Sequence, residues 1–517
     1  MVAIAMPDAG WSWPVLLAWS PLLAVFRLHG ADRWKRRFMW GWLMGFGYQA
    51  VTFRWVHWTM AEMTNLPPAA TITGMVLFWA WHGLNCAMFG ALVEPVRRTA
   101  EGRLAGSGPV AIGVLWVTIE WAFPYIFPWT LGHAFWDVPA LASIQALAGA
   151  PGISFVIVTL AAWAADHWLR SVRGVDRPTG RRAALWTAST VAPLVLFGAI
   201  WSITIDSTEP RRTLNVGVIQ ANYTIEEKKN PTYRVRMGLF SRLQNLLRGL
   251  EPGQFDLVVG SEGSFPMFWK LDADTAPIAD ADGMVSSGMW ATRKLQGLLK
   301  KHVAAPAIMG GLRRDANKKV RNAAVHLGAD GRIVDHYDKN ILVPFSEYMP
   351  GRDWFPELEN AVKGISNFYG GDTPCRFEAA GEVVACGICY EHIFADYSRD
   401  SANDSTVMAN LTIDTWFGDG PAPWFHLMLH SSRAVELGTP LIRSALTGIS
   451  AVVDIDGTLL SSLGLHEAGV LAAEVPLRDL TPPYRMVGPL FRHLCVALAL
   501  ALLLAAWLRR RREKRQA

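Results

Sequence analysis

Three residues of this chain have the types that nucleophilic chemistry needs. Cys389 ends the apolar, strand-like run V-V-A-C-G-I-C and is followed at once by Tyr390 and Glu391. Glu262 ends L-V-V-G-S-E, and Lys339 opens K-N-I-L-V-P-F-S-E. A thiol attacks carbonyl carbon well only when a base takes its proton, so a carboxylate and an ammonium are fitting companions for it. Singly, each has a plainer reading. A buried Cys is usually a small hydrophobe, Glu262 would cap a turn, and Lys339 would pair with Asp338 or Asp335.

To converge, the three need a scaffold that brings distant strand ends together. Strands are predicted at 214–220, 255–260, 305–311, 323–327, 383–388, 405–410 and 449–455, with helical stretches at 231–250, 284–303 and 423–437. A-D-G-R at 329–332 and I-D-G-T at 455–458 read as hairpin turns. Strands alternating with helices predict a layered α/β domain. Each of the three residues stands near the end of its own strand.

The rest of the chain is largely membrane. Apolar stretches long enough to span a bilayer lie near 11–28, 38–57, 69–93, 109–127, 151–168 and 184–204, and another near 487–508. The expected organisation is a polytopic membrane domain of about six helices at 1–204 and a catalytic domain at 205–486. A transmembrane helix at 487–508 and a basic tail at 509–517 complete it. The 24 Trp suit the membrane–water interface. Lys and Arg gather after the first, third and fifth stretches and in the tail R-R-R-R-E-K-R, while 58–68 and 128–150 carry none. The positive-inside rule then puts those basic segments in the cytoplasm and 205–486 on the opposite side. The same count puts Met1 outside, which leads us to expect a further helix upstream. Glu120, costly in lipid, is expected at the interface or supporting the outer loops. The net charge of +5 is dispersed in short runs and is no nucleic-acid signature.

The five Cys (86, 375, 386, 389 and 495) show no disulfide or zinc spacing. Cys386 and Cys389 form C-x-x-C, but three apart in an extended run they point to opposite faces, which argues against a redox pair. His426 and His430 have i,i+4 metal spacing without an acidic partner motif such as H-E-x-x-H. Neither metal nor cofactor is expected.

The residues also carry a resemblance. A strand ending in Glu262, Lys339 before L-V-P-F-S-E, and C-Y-E at 389–391 resemble the nitrilase superfamily, which implies an αββα sandwich with a Glu–Lys–Cys triad. Further motifs are N-L-T-I-D-T-W-F-G at 410–418, P-W-F-H at 423–426, R-A-V-E-L-G-T-P-L-I-R at 433–443 and F-P-W-T-L-G at 127–132. With the membrane helices, these resemble the superfamily's membrane-fused branch, the apolipoprotein N-acyltransferases.

That resemblance implies transfer of an acyl chain from a membrane phospholipid to the α-amino group of a diacylglyceryl-modified N-terminal cysteine on a lipoprotein. It casts Cys389 as nucleophile, Glu262 as base, and Lys339 as oxyanion stabiliser with a backbone N–H near residue 390. Glu347 would orient Lys339 or the incoming amine, with Tyr390 and Glu391 lining the pocket and Trp416 and Phe417 in its wall. The expected partners are phospholipid, lipoprotein and membrane lipid, with no nucleic acid. The expected state is a monomer in a bacterial inner membrane, its catalytic domain periplasmic. The chain departs from the family pattern in three places. Leu446 stands at an Asn position, R-N-A at 321–323 replaces Y-N-S, and Asn230 follows Lys228 and Lys229 with no Trp. The alternatives are a membrane-tethered amidase or nitrilase and a catalytically silent lipoprotein-binding module.

Overall fold

The computed structural model describes residues 15, 19–28, 33–63, 67–173, 177–275, 286–357 and 366–516. They form two compact units: Met1–His57 with Pro67–Ser207 and Thr481–Ala517, and Trp58–Leu66 with Thr208–Leu480.

The first unit is helical. Among the described residues, four helical segments are long and apolar enough to cross a membrane: Pro68–Arg103, Gln145–Val172, Gly180–Ser207 and Leu490–Gln516. The stretches near 69–93, 151–168, 184–204 and 487–508 fall in these four. The stretch near 109–127 falls in a shorter apolar helix, Gly108–Ala122. The one near 38–57 overlaps the 19-residue helix Trp34–Thr52, which opens on Lys35, Arg36 and Arg37. Of the stretch near 11–28, residues 11–14 and 16–18 lie outside the described residues, and a helix runs over Ser20–Leu28. Glu120 is buried and accepts hydrogen bonds from Trp116 Nε1 (3.1 Å) and Leu131 N (2.8 Å), tying down the turn Leu131–Phe135.

Among the described residues, the second unit has thirteen strands in two sheets. The strands are β1 (Arg212–Gln220), β2 (Leu257–Gly260), β3 (Phe265–Trp269), β4 (Ala307–Arg314), β5 (Val320–Leu327) and β6 (Ile333–Asp338), then β7 (Cys375–Ala379), β8 (Glu382–Ile388), β9 (Val407–Thr412) and β10 (Leu441–Ala445), and finally β11 (Ser450–Val453), β12 (Leu459–Leu463) and β13 (Gly469–Leu477). One sheet runs β13-β1-β2-β4-β5-β6, with β3 also on β4; the other runs β12-β11-β10-β9-β8-β7. The two central trios, β1-β2-β4 and β8-β9-β10, are parallel. Parallel strands place their C-terminal ends on one rim, where loops can converge.

The apolar faces of both sheets meet in a dry core that includes Val216, Val218, Val259, Ile308, Ala409, Leu411 and Ile442. Outside the first sheet, helices Tyr233–Arg248 and Ser287–Leu298 cover Val258, Met309 and Phe265. Outside the second, helix Ala422–Leu437 covers Ala385, Met408 and Ala451. The order helix, sheet, sheet, helix is the αββα sandwich that the resemblance implies.

Candidate active site

Lys339 and Cys389 each follow directly on a strand, and Glu262 stands two residues after one. After β2 the chain turns sharply through Ser261–Ser264, with Gly263 in the left-handed region at φ +67°. That turn lies on β4 because position 310 is glycine. A Cβ there would stand 2.5 Å from Ser261 O and 2.7 Å from Glu262 Cα. The Glu262 side chain is buried. Lys339 continues β6, its N–H donating to Asn322 O (2.8 Å), and its side chain is only 1% exposed.

Cys389 is half-buried and opens the tight turn Cys389–Ile393. Its φ is +52°, a conformation that costs a non-glycine residue about 1–2 kcal/mol. The strand alternation that the C-x-x-C argument relied on therefore stops at Ile388. Cys386 faces the inter-sheet core and is paired in register with Cys375, while Cys389 leaves the strand and still touches that core's edge.

The polar side chains around these positions form one connected set. Lys339 Nζ is 2.8 Å from Glu347 Oε1 and 4.0 Å from Glu262 Oε1. Asn322 Nδ2 donates to Glu262 Oε1 (2.6 Å) and also reaches Glu347 Oε1 (3.3 Å), so one amide orients both carboxylates. Glu347 is held in turn by Val343 N (2.8 Å).

Electrostatics set the resting charge states. Burial raises the Glu262 pKa, with Glu347 adding to the effect and Lys339, Asn322 and Lys228 opposing it. Burial opposes charge on Lys339, but Glu347 and Glu262 outweigh it and hold the ammonium above its usual range. Burial pushes the Cys389 thiol up to about 12, Glu262 adding to the effect and Lys339 opposing it. The resting sulfur is thus a neutral thiol beside a carboxylate with raised proton affinity.

The remaining residues singled out in the sequence occupy different places. Tyr390 is buried, its ring edge-on to Phe394 at 4.9 Å. Glu391 is fully buried. It accepts from Tyr337 OH (2.6 Å), Asn340 N (2.6 Å), Ile341 N (3.1 Å) and Ile388 N (2.7 Å), tying the loop after Lys339 to the turn at Cys389. Trp416 packs on the cluster of Ala221, Tyr223, Ile413 and Leu446, and Phe417 meets the His426 ring at 5.5 Å.

Sequence reasoning missed Asn322, the residue that joins the two carboxylates. It also missed Asn410 and His430, which hold the Cys389 carbonyl at 3.2 and 3.1 Å. A signal existed for each. Asn322 lies in R-N-A, Asn410 opens N-L-T, and His430 stood out only for its spacing from His426. That spacing serves hydrogen bonding here: His426 Nδ1 lies 2.9 Å from Asp414 Oδ1, and His430 reaches the Cys389 carbonyl.

Comparison with known proteins agrees with this architecture. Residues 215–483 match the carbon-nitrogen hydrolase family, and residues 1–163 match the apolipoprotein N-acyltransferase N-terminal domain. Over 508 residues the chain is 28% identical to an apolipoprotein N-acyltransferase of Photobacterium profundum, covering 95% of this chain and 90% of the relative. It is 29% identical to that of Rhodopseudomonas palustris, covering 95% of this chain and 91% of the relative. Among solved structures it is similar to an amidase from Nesterenkonia sp. at 17% identity, covering 54% of this chain and 95% of the amidase, with a TM-score of 0.37. The apolar helices and these relatives describe a bacterial membrane protein. The chain belongs to the carbon-nitrogen hydrolase family, in the branch that carries the apolipoprotein N-acyltransferase N-terminal domain.

Proposed function

We propose that this chain transfers an acyl chain from a membrane phospholipid to the α-amino group of the lipidated N-terminal cysteine of apolipoproteins, through a thioester on Cys389. The observation that carries the reading is the unequal sharing of Lys339. Glu347 takes the close ion pair, while burial gives Glu262, farther from the ammonium, a raised proton affinity beside the thiol. Relatives bearing that activity name align over nearly the whole chain.

In the first half-reaction Glu262 takes the Cys389 proton as sulfur attacks the ester carbonyl. The ammonium of Lys339 and the N–H of Tyr390 receive the developing oxyanion. The intermediate collapses, the C–O bond breaks, and Glu262 returns its proton to the departing lysophospholipid oxygen. In the second half-reaction the amine attacks the thioester, Glu262 takes its proton, and the C–S bond breaks. That proton then restores the thiol. Glu347 and Asn322 orient the pair; Glu391 fastens the nucleophile turn.

The charge pattern supports a catalytic domain at 205–486 on the periplasmic side of the inner membrane, tethered by helices at both ends. Both substrates are lipid-anchored, so tethering confines the search to the membrane surface. The protein acts as a monomer and uses no cofactor.

The direct test supplies purified protein with phospholipid carrying a labelled acyl chain and follows the Cys389 peptide by mass spectrometry. The expected result is a hydroxylamine-labile adduct on Cys389 that a diacylglyceryl peptide discharges onto its own N-terminus. A thioester found in Cys389→Ala protein would overturn the assignment, and discharge to water alone would make the chain a hydrolase.

A further inference from the structure

The left-handed turn at Cys389 is held from behind by a buried polar chain that the mechanism above does not use. His430 Nε2 is 3.1 Å from the carbonyl oxygen of Cys389. The other ring nitrogen, Nδ1, accepts a hydrogen bond from Arg443 Nε (3.2 Å). A guanidinium only donates, so the His430 proton resides on Nε2 and is donated to the Cys389 carbonyl. Burial, with His426, Arg443 and His392 adding to it, keeps His430 neutral. Arg443 is fixed by both oxygens of Asp414, at 2.9 Å each, and by the Ile449 carbonyl. His430 and Arg443 are fully buried, and Asp414 is 1% exposed. A buried ion pair is poor evidence of a stabilising role, because desolvation offsets its attraction.

The carbonyl of Cys389 and the N–H of Tyr390 belong to one planar trans peptide and point in opposite directions. Whatever pins the carbonyl also aims the N–H. We propose that His430, locked by Arg443 and Asp414, is a positioning residue that aims the Tyr390 N–H at the oxyanion formed on Cys389 acylation. This rests on the acyl-enzyme reading above. Asn410 Nδ2 supplies a second donor to the same carbonyl at 3.2 Å, so losing His430 misdirects the peptide without freeing it.

The test compares two reactions of the same sulfur in the full-length protein. A long-chain p-nitrophenyl ester acylates Cys389 through an oxyanion; iodoacetamide alkylates it without one. For His430→Phe the acylation burst should slow roughly 10- to 100-fold, as expected for an oxyanion donor moved off line. Alkylation should stay within about threefold of wild type, since no oxyanion donor is needed. His430→Gln, which keeps an N–H donor, should recover most of the burst rate. If His430→Phe fails to fold, Arg443→Lys replaces it. That variant keeps the charge for Asp414 and removes the bond to His430, and the same split is expected. Acylation at the wild-type rate, an equal fall in both reactions, or no rescue by Gln would each overturn the proposal. Wild-type protein that forms no acyl-Cys389 would sink the acyl-enzyme reading itself, and this proposal with it.

Discussion

Lys339 and Glu347 form the close ion pair of the site, at 2.8 Å, although Glu262 lies only 4.0 Å from the same ammonium. The difference gives the two carboxylates different work. Glu347 neutralises a buried cation, and Glu262 remains able to accept a proton.

Removing Glu347 should therefore harm the base rather than the cation. In Glu347→Gln, Lys339 has only Glu262 as a close carboxylate, which lowers that group's proton affinity. The acylation rate should fall by about 10-fold or more, with the acid limb of its pH profile displaced downward. Burst kinetics with a p-nitrophenyl ester across pH measures both, and an unmoved limb would count against the division of roles.

The pH dependence of the intact protein has a definite sign. As the proposed base, Glu262 has to be ionised, and its pKa is raised by burial. Acylation should rise with pH through an apparent pKa above the usual glutamate range of about 4.3. Lys339 is held above its usual range and stays charged throughout.

Stability should show the opposite trend. A carboxyl that binds its proton more tightly folded than unfolded contributes stability below its unfolded pKa, and that stability is lost as pH rises through the folded one. Glu262→Gln should accordingly raise Tm near about pH 8 and change it little near about pH 4, while slowing acylation by about 100-fold or more. Thermal unfolding in detergent at the two pH values decides this, and a lower Tm near pH 8 would contradict it.

Gly310 provides a purely steric prediction. A methyl group there meets Ser261 O at 2.5 Å and Glu262 Cα at 2.7 Å, both backbone atoms that cannot swing aside. Gly310→Ala should displace the Glu262 turn and slow acylation by about 10- to 100-fold, as a displacement near 1 Å does elsewhere. Burst kinetics beside thermal unfolding separates this from general loss of fold.

The sequence announced the parts of the fold whose physics is local. Apolar runs such as those around Val218, Val259 and Val384 read as strands, and A-D-G-R and I-D-G-T supplied the hairpin turns between β5 and β6 and between β11 and β12. Four of the strands that escaped notice lack such a signature. β6 and β12 are edge strands with exposed or half-exposed residues. β10 contains Arg443, whose charge is matched by Asp414 on a distant segment. β13 contains Pro476, tolerated because that strand lies at a sheet edge.

The site shows the same division. Cys389, Glu262 and Lys339 were legible as chemical types at strand ends. Asn322 was legible only as the middle of R-N-A, which does not say that two glutamates from other loops converge on it. The left-handed backbone at Cys389 is likewise invisible in a run of apolar residues. His430 and Asn410 hold its carbonyl from two other segments, and Glu391, within the same turn, accepts from Ile388 N.

The central claim is that a thioester on Cys389 carries an acyl chain to a lipoprotein amine. Its most direct test expresses this chain in a host depleted of its own N-acyltransferase and analyses the N-terminus of a model lipoprotein by mass spectrometry. One added acyl chain is expected with the wild-type protein and none with Cys389→Ala at equal expression. A lipoprotein left diacylated by fully expressed wild-type protein, or acylated equally by Cys389→Ala, would contradict it.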